Sequence, residues 1–274
     1  FLFRVKYRHR ETRWKLKMRI LLTNDDGIYA PGLAAMEKEL RKIGDVSLVA
    51  PATEQSGVSH SITFLSPLVC KEVFDGERHR GWAVEGSPAD CVKLAITELC
   101  GEPPDLVVSG INGGLNAGIN VLYSGTVAAA IEGAFFGIES IAVSLEYDPH
   151  AEFNKAAKIA RGVIEQLISH RGDKPKLYNL NIPSVALESE SRLKIVPMGL
   201  DRYGEQYEKR IDPRGREYFW ATNLPAPQPG IEETDLTALA RGNVTLTALN
   251  YDMTCREMLK EMRDWSLELE QTIS

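Results

Sequence analysis

The amino-acid sequence predicts an α/β protein whose core is doubly wound in three layers, a mostly parallel sheet with helices on both faces. Three observations carry this expectation. Apolar runs of strand length alternate, through residues 18–182, with longer segments whose apolar residues recur every three or four positions. The runs end in turn formers such as Asn24-Asp25-Asp26-Gly27, or in proline, as at Pro51. The first strand, helix and strand fit within roughly 30 residues, the length of a βαβ unit of a parallel sheet.

Residues 19–23 (RILLT) read as a buried strand. Residues 32–43 follow as a helix, because Leu33, Met36, Leu40 and Ile43 share one helical face. Residues 46–50 form the next strand. Ser87-Pro88-Ala89-Asp90 starts a second helix, with a Ser cap, Pro in the first turn and an acid three residues on. Residues 105–109 (DLVVS) are another buried strand, residues 124–136 a helix with Val127, Ala130, Ile131, Ala134 and Phe135 in one stripe. Residues 141–145 and 153–168 add a strand and a longer helix.

Beyond Pro183 the texture changes. Short strand-like runs (193–196, 217–221, 244–249) alternate with turns such as Asp212-Pro213-Arg214-Gly215, and residues 224–230 (LPAPQPG) form a stiff connector. Thr254-Cys255-Arg256-Glu257 reads as a capping box before a helix bearing Met258, Met262, Trp265 and Leu269, whose apolar face needs a partner in this subunit or a neighbour. The expected division is a basic leader over 1–17, a doubly wound core over 18–182 and a C-terminal extension over 183–274, packed with the core. The leader lacks the apolar stretch of a secretory signal, and Met18 opens the first strand.

Composition narrows the function. The 274 residues are 43% hydrophobic, enough for a sizeable core, yet no apolar run approaches the ~20 residues of a membrane span. The net charge of −6 divides into +6 on the first 17 residues and −12 on the rest. So acidic a body is a poor clamp for polymeric nucleic acid, whose binding rests on neutralising phosphates. Cys70, Cys91, Cys100 and Cys255 form no CxxC, as expected of packed, reduced thiols in a cytoplasmic protein. The five histidines are scattered without HxH or HExxH, so a metal here is a hard cation held by oxygen.

In an open α/β sheet, ligands bind beyond the carboxyl ends of the strands. After the first strand come Asp25 and Asp26, two adjacent carboxylates that repel unless a cation neutralises both. Read alone, Asn-Asp-Asp-Gly is a surface turn; directly after a core strand it suits a metal, and it lacks the glycines of a dinucleotide site. After the second strand, Ser56-Gly57 offers a hydroxyl on a tight turn. Ser109-Gly110-Ile111-Asn112-Gly113-Gly114 reads as a Gly-rich loop, with an anion nest at its amides and a neutral oxygen at Asn112. Ser124, Gly125 and Thr126 open a helix whose positive end favours phosphate, or simply cap it. Together these residues point to metal-assisted chemistry on a phosphate.

The strings MRILLTNDDGIYAPG, VAPATEQSGVSHSIT, GSPADCV, DLVVSGINGGLN and YSGTVAAAIEG, in this order, resemble the survival protein SurE family. The resemblance runs from Met18 to about Leu145 and returns at Asp212-Pro213-Arg214-Gly215-Arg216 and Glu233-Thr234-Asp235. It implies a Rossmann-like core with a C-terminal β-hairpin and helix exchanged between subunits, giving a homodimer or homotetramer. It also implies a metal-dependent phosphomonoesterase acting on nucleoside monophosphates, with some members cleaving short polyphosphate. Residue by residue, the resemblance places Mg²⁺ or Mn²⁺ on Asp25, Asp26, Ser56 and Asn112 and phosphate against Ser124, Gly125 and Thr126, to which the Gly-rich string adds Asn112 and Gly113. Asp25 or Asp26 is then the catalytic base or, in a covalent variant, the nucleophile; His60 is a candidate proton donor on its loop position alone. Two departures are visible, Ser87 where Thr is commoner and GGLN where AGPN is frequent. The rival classes are a Mg-nucleotide-binding regulator without turnover and a dinucleotide oxidoreductase, the latter disfavoured by the absence of GxGxxG.

Overall fold

The computed structural model describes residues 17–172, 174–200, 206–222 and 233–268. Strand β1 (Met18–Thr23) opens the main sheet, and its Ile20, Leu21 and Leu22 are buried on both faces, as a central parallel strand requires. Helix α1 (Pro31–Leu40) has Pro in its first turn and sends Leu33, Met36 and Leu40 into the core. Strand β2 (Gly44–Pro51) returns parallel to β1.

The next two strands were not expected from the sequence. β3 (Cys70–Asp75) and β4 (Arg78–Val84) form a hairpin across Gly76, at φ +61°. Asp75-Gly76 is a hairpin signal, but β3 is an edge strand with Lys71, Glu72, Phe74 and Asp75 exposed, so no apolar run marks it. Helix α2 (Pro88–Leu94) starts as the sequence predicts: Ser87 Oγ accepts from Asp90 N at 3.1 Å, and Asp90 Oδ2 from Ser87 N at 2.9 Å.

Strand β5 (Leu106–Gly113) outruns its expected end by four residues. The string from Ser109 to Gly113 is therefore strand, where the sequence suggests a loop. Its glycines and Asn112 are turn formers, yet β6 (Glu139–Leu145) pairs with it as far as Gly113, after an irregularity between Ser109 and Asn112. Helices α3 (Gly125–Phe135) and α4 (Phe153–Ser169) and strand β7 (Leu177–Ile182) follow.

Past Pro183 come β8 (Leu193–Ile195), β9 (Gln206–Ile211), β10 (Glu217–Thr222), α5 (Asp235–Ala240), β11 (Val244–Leu249) and α6 (Arg256–Arg263). β11 joins the main sheet antiparallel to β7, and β8 lies beside it; β9 and β10 form a hairpin of their own. The capping box expected at Thr254 is not formed. Asp252 Oδ1 accepts from Thr254 N, which draws Thr254 into a turn and leaves Cys255 as the N-cap without a side-chain bond. The leader through residue 16, the connector 224–230 and Leu269 lie outside the described residues. No helix among the described residues is long and apolar enough to cross a membrane.

The main sheet has the order β3-β4-β2-β1-β5-β6-β7-β11-β8. Helices α1 and α4 pack together on one face, α2 and α3 on the other. From β1 the chain builds outward through β2 to β4, then returns to place β5 on the other side of β1. That reversal opens a crevice beyond the carboxyl ends of β1 and β5, where open α/β sheets bind ligands.

Candidate active site

The crevice is built from the turn after β1 outward. Asn24 is buried, and its Nδ2 donates to Gly27 O at 3.0 Å; Gly27 closes this turn at φ +97°, a conformation that favours glycine. Asp25 is buried against the start of α3. Thr126 N donates to its Oδ2 at 3.1 Å and Thr126 Oγ1 to its Oδ1 at 2.5 Å. Gly125 is glycine for close approach, because a Cβ there would lie 2.9 Å from Asp25 Cβ and 3.1 Å from Oδ2. Asp26, half-buried, accepts from Gly113 N at 3.4 Å.

Electrostatics separate the two acids from ordinary surface carboxylates. Burial raises the pKa of Asp25, against the Thr126 hydrogen bonds that lower it. Asp26 is pushed up to about 6, by burial first and then by the charge of Asp25. Glu54, on the loop after β2, adds repulsion to both.

That loop is tied to the pair by Gln55 N, which donates to Asp25 O at 2.8 Å. Ser56 follows directly, exposed, with its Oγ donating to Glu54 Oε1 at 2.6 Å. On the opposite wall, Asn112 precedes Gly113 and donates through Nδ2 to Gly114 O at 2.7 Å, which leaves Oδ1 as its group for a cation. Among the described residues no group of three or more His, Cys, Asp or Glu side chains converges. The donor set is thus two carboxylates with neutral oxygens, suited to a hard cation.

The structure brings Asp25, Asp26, Gly113, Gly125 and Thr126 into direct contact, with Ser56 and Asn112 each one residue from such a contact. Ser124 is used as a helix cap, its Oγ accepting from Val127 N at 3.1 Å. His60 is drawn onto the flank of α3, where its Nε2 lies 2.8 Å from Oε2 of the buried Glu132. Glu132 is seven residues along from Gly125, about 10 Å by helical rise, so this pairing takes the ring away from the acids. Glu54 was missed from sequence; a lone acid in a polar loop carries no periodic signal.

A family model described as Survival protein SurE matches residues 20–205. The protein named 5'-nucleotidase SurE from Rhodopirellula baltica is 60% identical over 251 residues, 91% of this chain and 99% of that one. The chain belongs to the SurE family. A SurE relative from Vibrio parahaemolyticus, also named 5'-nucleotidase SurE, is 42% identical over 92% of this chain and 95% of its own. The crystal structure of the SurE protein from Aquifex aeolicus superposes with a TM-score of 0.78 at 35% identity, covering 89% of this chain and 98% of that one. The SurE architecture therefore extends across the main sheet and beyond the span of the family model.

Proposed function

We propose that this SurE-family chain is a metal-dependent phosphomonoesterase that hydrolyses nucleoside monophosphates to nucleoside and phosphate, 5′-phosphates foremost, with 3′-phosphates and short polyphosphate as further substrates. The observation that carries the reading is the contact of Asp25 with the start of α3, which sets a carboxylate pair against the positive end of a helix. The printed names of the relatives from Rhodopirellula baltica and Vibrio parahaemolyticus support the 5′-nucleotidase part.

Asp25, Asp26, Ser56 and Asn112 would hold Mg²⁺ or Mn²⁺. Such a cation supplies charge neutralisation at the phosphoryl oxygens and acidifies a water that attacks phosphorus. The chain's own residues do the rest. Thr126 fixes Asp25 through both of its oxygens, so Asp25 orients and does not swing. Asp26 accepts a hydrogen bond at Oδ2, which leaves its Oδ1 to take the proton of the attacking water, while the departing nucleoside oxygen would draw its proton from solvent. The positive end of the α3 dipole would stabilise the equatorial phosphoryl oxygens, Thr126 N and Val127 N being already given to Asp25 and Ser124.

The hairpin β9–β10 and helix α6 support a homodimer or homotetramer. Tyr207, Ile211, Phe219 and Trp220 are exposed on the hairpin, and no residue of α6 is buried. An isolated two-stranded hairpin is marginal in water, which a neighbouring subunit would remedy. The unpaired cysteines support a cytoplasmic location.

Phosphate release from a panel of monophosphates, measured with Mn²⁺, Mg²⁺ or EDTA, tests the reading. Release of phosphate from nucleotides with either metal and none after chelation is expected. Activity that survives exhaustive chelation would overturn the metal mechanism, and nucleotide binding without turnover would leave the chain a regulator.

A further inference from the structure

Tyr123 stands immediately before Ser124 and the start of α3. It is 50% exposed and its neighbour Leu122 is 44% exposed, and no aromatic ring among the described residues stacks on it. Leu122 ends a single 3₁₀ turn over Gly118–Leu122 and Tyr123 caps it, and the pair is clamped from a second segment. Tyr123 N donates to Asn120 O at 3.0 Å, and Tyr123 O accepts from Ser59 N at 3.1 Å. Ser59 Oγ donates to Leu122 O at 2.7 Å. Ser59 makes both bonds at φ +55°, the one positive φ outside glycine among the described residues. Such a conformation costs free energy in an L residue and persists where the surroundings over-determine it. Here it fixes the backbone beneath an uncovered ring.

The position of the ring is limited by chain length. Tyr123 is three residues from Thr126, which holds Asp25, so their Cα atoms lie within about 11 Å. A nucleotide with its phosphate at Asp25 and the start of α3 extends its base over a comparable distance. Asp25, Asp26 and the helix start recognise only the phosphate end. The base offers a flat π face, for which a rigidly mounted aromatic side chain is the fitting partner.

We propose that Tyr123 is the stacking platform for the nucleobase, and thereby the residue that makes the site prefer nucleotides to phosphorylated sugars. This rests on the nucleotidase reading above. Stacking reads the face of a base and not its hydrogen-bonding edge, so all bases are accepted, purines ahead of pyrimidines for their larger area.

The test compares adenosine 5′-monophosphate with ribose 5-phosphate, which share phosphate and sugar and differ by the base. In Tyr123→Ala the ratio of kcat/KM for the nucleotide over the sugar phosphate falls roughly tenfold, and mainly through KM. Tyr123→Leu, apolar but without a flat face, falls likewise, whereas Tyr123→Phe keeps the wild-type ratio. The Leu and Phe variants decide the matter if the Ala variant does not fold. An unchanged ratio in the Leu variant, or equal losses on both substrates, overturns the proposal while leaving the nucleotidase reading intact. Wild-type protein that releases phosphate from ribose 5-phosphate but from no nucleotide removes both.

Discussion

Both oxygens of Asp25 accept from Thr126, while Asp26 accepts at one oxygen, from Gly113. The two acids are adjacent in sequence but differ in freedom, and single substitutions separate their roles. Loss of an outer-shell partner typically costs a metal site 10–100-fold. Asp26→Asn, which removes a proposed ligand and proton acceptor, is therefore expected to raise the Mn²⁺ concentration for half-maximal activity roughly 100-fold or more. Full activity in this variant would refute the assignment. Gly125→Ala tests the close approach: the added methyl meets Asp25 at 2.9 Å, and overpacking of this kind costs about 1–3 kcal/mol. Phosphate release should fall while circular dichroism keeps the native helix content. Asp25 and Asp26 were legible because two acids directly after an apolar strand are unusual. The engagement of Thr126 was not, since it spans 101 residues of chain and no local pattern encodes it.

Among the elements, α2 shows what a local signal can carry. Its capping box formed as read, but Asp90 does more: Thr63 donates to it from N at 3.0 Å and Oγ1 at 2.7 Å, tying the middle of the loop that carries Ser56 to the helix. Burial alone would raise the Asp90 pKa, but the bonds from Thr63 and Ser87 outweigh it and hold the carboxyl below its ordinary 3.8. A depressed folded pKa means the stabilisation is complete above the unfolded value and is lost as pH falls through the folded one. Asp90→Asn should therefore melt several degrees lower at pH 7, a loss of about 1–2 kcal/mol. The gap should narrow below pH ~4 as the wild-type carboxyl protonates. Melting curves between pH 7 and 3 check both. The failures at this scale are equally physical. Thr254 has the residues of a capping box, but Asp252 competes for its amide. β5 continues through Asn112 and Gly113 because β6 supplies partners that a residue-by-residue reading does not see.

For the whole molecule, the sheet order explains why the site lies where it does: reversal at β1 and β5 sets Asp25, Asp26, Asn112 and Gly113 around one crevice. The βαβ rhythm made the parallel core legible. The antiparallel return of β11 beside β7 and the separate β9–β10 hairpin follow from long-range pairing, which periodicity does not report. Helix α6 presents Met258, Leu259 and Met262 to solvent, so light scattering of the purified protein should report more than one subunit. Met258→Glu with Met262→Glu should shift the population to a smaller species, and an unchanged mass would assign the interface elsewhere. The acid pair has a consequence for the same molecule seen as a folding equilibrium. Two carboxylates whose ionised forms are disfavoured by burial, Asp26 also by the charge of Asp25, are a defect in the metal-free fold. A cation that relieves the defect binds the native state alone, and a concentration of 100 times its Kd adds about 2.7 kcal/mol of stability. The melting temperature should thus rise with Mn²⁺ and drop with EDTA. Asp26→Asn, poor as an enzyme, should melt above the metal-free wild type and scarcely respond to the ion. Optimising this chain for heat resistance without metal would therefore select against its own acid pair.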